Sequence, residues 1–217
     1  MAPSTNWKVP GLPIVFVGAP KVANSAIKRS LIAAAGIDGS VGHAHKDLPF
    51  ERVSLRYVAK NGGGVCAAAE GERLFAFSVV RNPLDRLVSC YEDKVNNGTR
   101  LHNPFYRYGM WLGMSFDEFV EKVLSVDVQQ AEVHLREMYS LTTWRGSVVP
   151  RMVLRYEELD SDFQLVQNAV KAISGKVIPD LGTSNKSKRQ DFSLYYDESM
   201  RCAISRYYWR DFLEFGY

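Results

Sequence analysis

Cysteine is scarce in this sequence, and its scarcity argues against two common kinds of site. The 217 residues include three cysteines, Cys66, Cys90 and Cys202, which lie far apart and form no Cys-x-x-Cys pair. Cysteine-based zinc sites need such close pairs, and a disulfide framework is typical of short secreted chains with an even cysteine count. We therefore expect reduced thiols, which suit a cytoplasmic protein.

Long apolar runs and a strong charge imbalance are also missing. No apolar segment approaches the roughly 20 residues that cross a bilayer. The residues after Met1 do not have the pattern of a secretory leader. The net charge of +3 is too small to indicate nucleic acid. We expect no membrane span and no nucleic-acid partner.

What the sequence does contain is an alternation of strand and helix patterns. Residues 13–17 are continuously apolar and predict a buried strand, after which an amphipathic helix runs to Gly36. Residues 74–80 repeat the strand pattern, and Pro83 is well placed in the first turn of the next helix. Strands that alternate with helices predict an α/β fold with a central, mainly parallel sheet flanked by helices.

Later segments extend the same pattern. Residues 148–154 predict a third strand and residues 161–173 a helix after it. Residues 115–118, Ser-Phe-Asp-Glu, form a capping box at the start of another helix. A last helix is predicted from about Asp197.

The chain shows no internal repeat and no low-complexity linker. Its length fits one domain. We assign residues 1–12 to a loose N-terminal lead-in and residues 13–217 to a single domain.

The turn after the first predicted strand has features of a phosphate-binding loop. Residues 18–25 read Gly-Ala-Pro-Lys-Val-Ala-Asn-Ser. A turn from a buried strand into a helix favours an anion through its backbone N–H groups and the helix dipole. Ser25 occupies the hydroxyl position of the pattern G-x-x-x-x-G-K-[ST], but Ala23 and Asn24 replace Gly-Lys, and Lys21 lies inside the turn. An ordinary turn with a solvated Lys21 fits this segment alone equally well.

A second basic position follows the second predicted strand. Arg81 stands at the end of that strand, and Ser89 lies eight residues later in the next helix. An arginine and a hydroxyl so arranged can hold a phosphate by charge-assisted hydrogen bonds. Together, the two sites suit a nucleotide with phosphate groups at both its 5′ and 3′ positions.

The segments around these sites resemble a known family. Residues 20–29, PKVANSAIKR, resemble the 5′-phosphosulfate loop PKVAxTxxKR of the family 2 carbohydrate sulfotransferases, which include heparan 2-O-sulfotransferases and the chondroitin and HNK-1 sulfotransferases. Residues 77–91 resemble their 3′-phosphate motif, a strand followed by RxPxxRLxSxY. Residues 134–136 are similar to their HxRxQ segment, and residues 211–217 to their closing D-F-x-x-F-G-Y. The likeness spans residues 13–217.

The resemblance implies a P-loop-like sulfotransferase fold and transfer of a sulfuryl group from 3′-phosphoadenosine 5′-phosphosulfate to a hydroxyl, with 3′,5′-ADP as product. Lys21 would be catalytic, because its charge neutralises the bridging oxygen as the sulfur–oxygen bond breaks. Fixed cations then do the work of magnesium, so we expect no metal. The donor-binding residues would be Pro20, Lys21, Val22, Ala23, Asn24, Ser25, Arg81 and Ser89, with Lys188 and Arg189 from a late basic loop.

The acceptor hydroxyl needs a general base, for which histidine is suited near neutral pH. The heparan 2-O-sulfotransferase branch carries a His-Gly-His base segment between its two nucleotide motifs, where this chain has His43-Ala44-His45. The resemblance therefore favours His45 and then His43 as catalytic base. His134 and Arg136 are expected to bind the acceptor, with His134 as the next candidate base. A carboxylate such as Glu92 or Asp93 is the remaining alternative for the base.

Three matters stay open at the level of sequence. The acceptor is expected to be a carbohydrate by the resemblance, while a non-carbohydrate acceptor or a P-loop-type nucleotide kinase is the alternative. The oligomeric state is undetermined. We expect a bacterial cytoplasmic enzyme, and the alternative is a Golgi-lumenal catalytic domain whose anchor has been removed.

Overall fold

The computed structural model describes residues 6–9, 11–37, 51–52, 55–60, 63–68, 73–144, 146–182 and 190–217. The chain forms two units. The sheet unit comprises Met1–Val80 and Leu141–Lys186, and the helical unit comprises Arg81–Ser140 and Ser187–Tyr217. The assignment of residues 13–217 to a single functional domain stays a prediction.

Strands occur mainly in the sheet unit, and most helices occur in the helical unit. The described strands are β1 (Asn6–Lys8), β2 (Ile14–Val17), β3 (Glu51–Arg52), β4 (Leu55–Lys60), β5 (Gly63–Ala68), β6 (Arg73–Val80), β7 (Thr143–Trp144), β8 (Ser147–Val148) and β9 (Met152–Arg155). The described helices are α1 (Asn24–Ala34), α2 (Pro83–Tyr91), α3 (Asn103–Arg107), α4 (Phe116–Leu124), α5 (Met138–Thr142), α6 (Leu159–Ser174), α7 (Glu198–Tyr207) and α8 (Trp209–Phe215).

The strands at the centre of the main sheet are parallel. β2 pairs in parallel with β6, and β9 pairs in parallel with the carboxyl-terminal half of β6. All four side chains of β2 are buried, as expected for an apolar strand covered on both faces. Antiparallel strands complete the order β3-β1-β2-β6-β5-β4. These pairings confirm the predicted α/β fold with a mainly parallel central sheet flanked by helices.

Two segments of the sheet unit differ from the sequence prediction. The prediction of one strand over residues 148–154 was wrong, because β8 pairs with β7 in a separate two-stranded sheet and β9 begins only at Met152. Pro150 lies between them and has no N–H to donate to a strand ladder. Within the predicted lead-in of residues 1–12, β1 is an ordered strand that pairs with β2.

The first helix of the sheet unit matches its predicted extent. α1 runs from Asn24 to Ala34, and Gly36 follows with a φ of 74°. A positive φ suits glycine because it has no Cβ to clash with the backbone. The prediction that Gly36 closes this helix is therefore confirmed.

The helical unit is built around a large apolar cluster. Phe105, Phe119 and Leu87 are among its buried members. The predicted capping box is present at Ser115 and Glu118, where α4 begins. Pro83 occupies the first turn of α2, as predicted.

The predicted last helix consists of two helices. Asp197 caps α7 through the N–H of Met200, as the predicted start requires. The helix then breaks at Tyr208, whose buried hydroxyl donates to the carbonyl of Leu135 at 2.7 Å. This contact is not evident from the helical periodicity of the sequence.

Among the described residues, no helix is both long enough and apolar enough to cross a membrane.

Candidate active site

The loop between β2 and α1 has an unusual backbone. Lys21 has a φ of 70° and Ala23 a φ of 65°, and both are residues other than glycine. A left-handed conformation costs such a residue about 1–2 kcal/mol. Strain of this kind persists where the surrounding structure enforces it, and it is concentrated at ligand-binding sites.

The start of α1 lacks the usual capping groups. Its N-cap residue is Ala23, which offers no side-chain acceptor, and no acidic residue lies in the first turn. The first N–H groups of a helix have no intrahelical partner and carry its positive partial charge. The loop therefore ends at a helix terminus that is suited to an anion.

Burial anchors this loop on the sheet unit. Ala19 and Val22 are fully buried, whereas Lys21 and Ser25 are half-buried. The polar side chains of the loop thus remain partly accessible while its apolar side chains hold the backbone in place.

Asn24 contributes a buried polar atom that has no partner. Among the described residues, its Oδ1 is one of two buried side-chain atoms without a hydrogen bond. A half-turn of the amide exchanges Oδ1 and Nδ2, which would point a donor at the same place. Buried polar atoms are nearly always paired, so an unpaired one at this position is consistent with a bound ligand.

The carboxyl ends of β2 and β6 lie side by side. Val17 and Ser78 are register partners in the parallel pair, and the Ser78 hydroxyl donates to the Val17 carbonyl at 2.6 Å. In open α/β sheets, ligands bind beyond the carboxyl ends of the strands. The loop of residues 18–23 follows one of these ends, and the backbone leads from the other into Arg81.

Asp85 and Ser89 are four residues apart and share one side of α2, and Arg81 lies two residues before this helix begins. The Arg81 Nε donates to the Asp85 Oδ2 at 2.8 Å, and both side chains are largely buried. Ser89 is half-buried one turn further along. Asp85 therefore orients the guanidinium that the sequence analysis assigned to the 3′-phosphate.

Sequence reasoning had not singled out Asp85. The signal that could have identified it is its opposite charge four residues after Arg81, since Asp85 lies in the first turn of the helix that Arg81 precedes.

A second polar cluster in the helical unit surrounds His134. The His134 Nδ1 lies 2.9 Å from both carboxylate oxygens of Glu132, and the His134 backbone N–H donates to Glu132 Oε2 at 2.9 Å. The His102 Nε2 lies 3.3 Å from Glu132 Oε1. The structure thus brings His134 together with two residues that sequence reasoning missed.

Burial and hydrogen bonding set the charges of this cluster. Burial raises the pKa of Glu132, but hydrogen bonds and charge from His134 outweigh it and lower that pKa to about 2. Burial lowers the pKa of His134, against the opposite effect of the Glu132 carboxylate. The lowered pKa of Glu132 fits an ionised carboxylate that accepts a hydrogen bond from the Nδ1–H of His134.

The backbone around His134 is fixed from several directions. Arg86, which is 1% exposed, donates to the carbonyls of Val133 and Arg136 at 3.0 and 2.8 Å. The Arg136 Nε donates to the Ala131 carbonyl at 2.9 Å. Part of the Arg136 guanidinium is therefore committed to this turn, and its expected contact with the acceptor stays a prediction.

Several predicted site residues lie outside the described residues. They are His43, His45, Lys188 and Arg189.

Lys28 of α1 is a buried lysine. It is 1% exposed, and its Nζ lies 3.3 Å from the centre of the Trp7 ring. A cation–π contact of this kind stabilises a buried lysine charge.

A comparison of the sequence with known protein families finds a match over nearly the whole chain. A model described as the sulfotransferase family matches residues 9–217. No curated protein and no solved structure matches the chain.

Proposed function

The chain belongs to the sulfotransferase family, and we propose that it transfers a sulfuryl group from 3′-phosphoadenosine 5′-phosphosulfate to a hydroxyl of a carbohydrate. The observation that carries the proposal is the strained loop of residues 18–23, which holds Lys21 beside an uncapped helix terminus. Family membership supports sulfuryl transfer and a hydroxyl acceptor. The identity of the donor and the carbohydrate nature of the acceptor are the further steps that we propose.

The 5′-phosphosulfate is proposed to bind the loop and the first turn of α1. Anions bind at such helix termini because several backbone N–H groups converge there. The Ser25 hydroxyl and the Asn24 amide would add side-chain donors. Pro20, Val22 and Ala23 would contribute by shaping the backbone, and Val22 is well suited to this because it is fully buried.

The 3′-phosphate is proposed to bind Arg81 and Ser89. The ion pair with Asp85 supports this role, because it holds the guanidinium in one orientation before a ligand arrives. A preorganised guanidinium loses less conformational entropy on binding. Lys188 and Arg189 are proposed to add contacts from the late basic loop.

Lys21 is proposed as the main electrostatic catalyst. The acceptor oxygen attacks sulfur in line, the bond between sulfur and the bridging oxygen breaks, and 3′,5′-ADP leaves. Negative charge builds on that bridging oxygen, and a fixed ammonium beside it stabilises the transition state more than the ground state. No metal is proposed for this step.

The proton of the acceptor hydroxyl is proposed to pass to a histidine. His45 is preferred and His43 comes next, on the family resemblance of their segment. His134 is the next candidate, since its hydrogen bond from Nδ1 to Glu132 would leave Nε2 as the proton acceptor. His134 and Arg136 are also proposed to contact the carbohydrate.

The sequence supports one further proposal, that the enzyme is located in a bacterial cytoplasm rather than in a Golgi lumen. We propose a carbohydrate and no nucleic acid as its partner.

The role of Lys21 is tested by measuring sulfuryl transfer to a panel of carbohydrate acceptors with Lys21→Ala. We expect turnover to fall at least about a hundredfold, as for the loss of other electrostatic catalysts. The matched control is Lys171→Ala, on the exposed side of α6, which should keep wild-type turnover. Near-wild-type turnover by a folded Lys21→Ala variant would contradict the mechanism.

A further inference from the structure

We propose that His102, Glu132 and His134 form a binding site for one divalent cation of the zinc class. All three residues belong to the helical unit. This site is additional to sulfuryl transfer, for which no metal is proposed. The inference does not depend on the proposed donor or acceptor.

The spacing of the side chains fits such an ion. One ligand atom from each of the three residues lies within 4.8 Å of the others. The His102 Nε2 is 3.3 Å and the His134 Nδ1 is 2.9 Å from Glu132 Oε1. Zinc bonds of about 2.0–2.2 Å place neighbouring ligand atoms of a tetrahedron about 3.3–3.6 Å apart. Two of the three ligand pairs therefore have spacings near those of a zinc site, and the third pair lies within 4.8 Å.

The chemistry of the ligand set selects the class of ion. Two imidazoles and one carboxylate suit zinc and neighbouring transition metals, whereas calcium and magnesium prefer all-oxygen sites. Three protein ligands leave a fourth position for water or another oxygen ligand, as in catalytic zinc sites. A neutral His134 that coordinates through Nδ1 carries its proton on Nε2, so Nε2 could donate to the carbohydrate but could not serve as the general base.

Contacts behind the ligands hold them in place. The Glu132 backbone N–H donates to the Tyr108 hydroxyl at 3.0 Å. The His102 ring lies edge-on to Phe105 with their centres 5.7 Å apart. The two Arg86 hydrogen bonds fix the carbonyls on either side of His134. Such outer contacts orient metal ligands and raise metal affinity.

The cluster is also accessible to an ion. The His102 side chain is 39% exposed, that of His134 is 21% exposed and that of Glu132 is 12% exposed. A site that is buried on one side and open on the other combines a fixed geometry with a path for entry.

A purely hydrogen-bonded cluster is the competing explanation, because Glu132 accepts hydrogen bonds from the histidines in the absence of an ion. Only the metal-site explanation predicts that the protein binds metal stoichiometrically. Chelator-treated full-length protein should be titrated with Co²⁺ and followed by visible absorption, because tetrahedral Co²⁺ gives intense bands that octahedral Co²⁺ lacks. Titration calorimetry with Zn²⁺ would give the stoichiometry.

We expect one Co²⁺ per chain with tetrahedral bands, and its displacement by Zn²⁺. Loss of a contact behind a metal ligand already lowers metal affinity by about 10- to 100-fold, so removing a ligand itself should weaken binding at least about tenfold. His102→Ala is the first variant, because its half-exposed side chain makes a folding defect the least expected. Glu132→Gln is the second, because it keeps the shape of the side chain. Circular dichroism checks the fold of each.

Glu121→Gln is the matched control, since it neutralises an exposed carboxylate of α4 that is not part of the cluster and should keep the cobalt spectrum. Unchanged affinity in folded His102→Ala would overturn the site. So would a loss of binding in the control alone, or wild-type protein that binds neither ion stoichiometrically.

Discussion

Arg81 combines a structural contact and a ligand-binding role in one side chain. Its Nε is paired with Asp85 at 2.8 Å in a largely buried position. Removing one partner of such a pair leaves the other charge buried and unpaired, which destabilises the fold. Any test of its role in nucleotide binding must therefore neutralise Asp85 as well.

The double variant Arg81→Ala/Asp85→Asn isolates that binding role. We expect its affinity for 3′,5′-ADP to fall about 10- to 100-fold, the value of a charge-assisted hydrogen bond of about 1.5–3 kcal/mol. Its affinity for 5′-ADP, which lacks the 3′-phosphate, should not change. Asp85→Asn alone is the control and should keep most of the affinity for 3′,5′-ADP. Equal losses for both nucleotides in calorimetry would remove Arg81 from the 3′-phosphate site.

Local sequence was enough to predict donor-site residues, which stay a prediction, but not the side chains that pair with them. Lys21, Ser25 and Arg81 follow apolar strands, so their placement depends on short-range signals. Glu132 and His102 are 30 residues apart, and only the tertiary fold brings them together. The grouping of His102 and Glu132 with His134 could therefore not be predicted from the sequence. The Glu-x-His spacing alone is consistent with a contact between Glu132 and His134.

Among the secondary-structure elements, the junction of the loop with α1 shows the clearest cost in conformational energy. Ala23 stands at the P-loop glycine position with a φ of 65°. Glycine accepts this conformation without a Cβ clash, while alanine does not.

We expect Ala23→Gly to raise the free energy of unfolding by up to about 1 kcal/mol. The control is Ala33→Gly, an exposed position in the last turn of α1, where glycine should lower stability by up to about 1 kcal/mol. Denaturant unfolding of both variants measures the difference. A destabilisation by Ala23→Gly similar to that of Ala33→Gly would mean that the loop is not strained at this residue.

The elements that the sequence predicted well are those that local signals define. Residues 13–17 and 74–80 are apolar runs, and glycine, proline and a capping box mark the helix ends. The break between β8 and β9 contains Pro150, a local signal that the apolar pattern of residues 148–154 obscured. The break at Tyr208 coincides with a hydrogen bond to the carbonyl of Leu135, 73 residues away, and such a contact leaves no periodic pattern in the sequence.

For the molecule as a whole, one buried carboxyl links stability to pH. Asp211 is fully buried and accepts hydrogen bonds from the N–H groups of Met138 and Tyr139 at 2.9 and 2.6 Å. Burial raises the pKa of Asp211 from 3.8 to about 6, although Arg86 and the two N–H groups oppose the shift. The folded state therefore holds this proton more tightly than the unfolded chain does.

Because the pKa of Asp211 is raised in the folded state, its contribution to the free energy of unfolding is greatest below pH 3.8. This contribution is lost as the pH rises from there through about 6. The loss is on the order of 3 kcal/mol, at about 1.4 kcal/mol per pKa unit. Asp211→Asn cannot titrate, so its unfolding free energy should lack this fall. Denaturant unfolding at several pH values checks it, with the exposed Asp117→Asn as control. A variant with the wild-type slope over this range would show that Asp211 ionises normally.

The central claim is that the chain binds a nucleotide through both its 5′ and 3′ phosphate groups. Titration calorimetry with 3′,5′-ADP, 5′-ADP and ATP, all without magnesium, tests it most directly. We predict binding of 3′,5′-ADP in roughly the micromolar range, with clearly weaker binding of the two nucleotides that lack the 3′-phosphate. A preference for ATP, strengthened when magnesium is added, would contradict the account and indicate a nucleotide kinase.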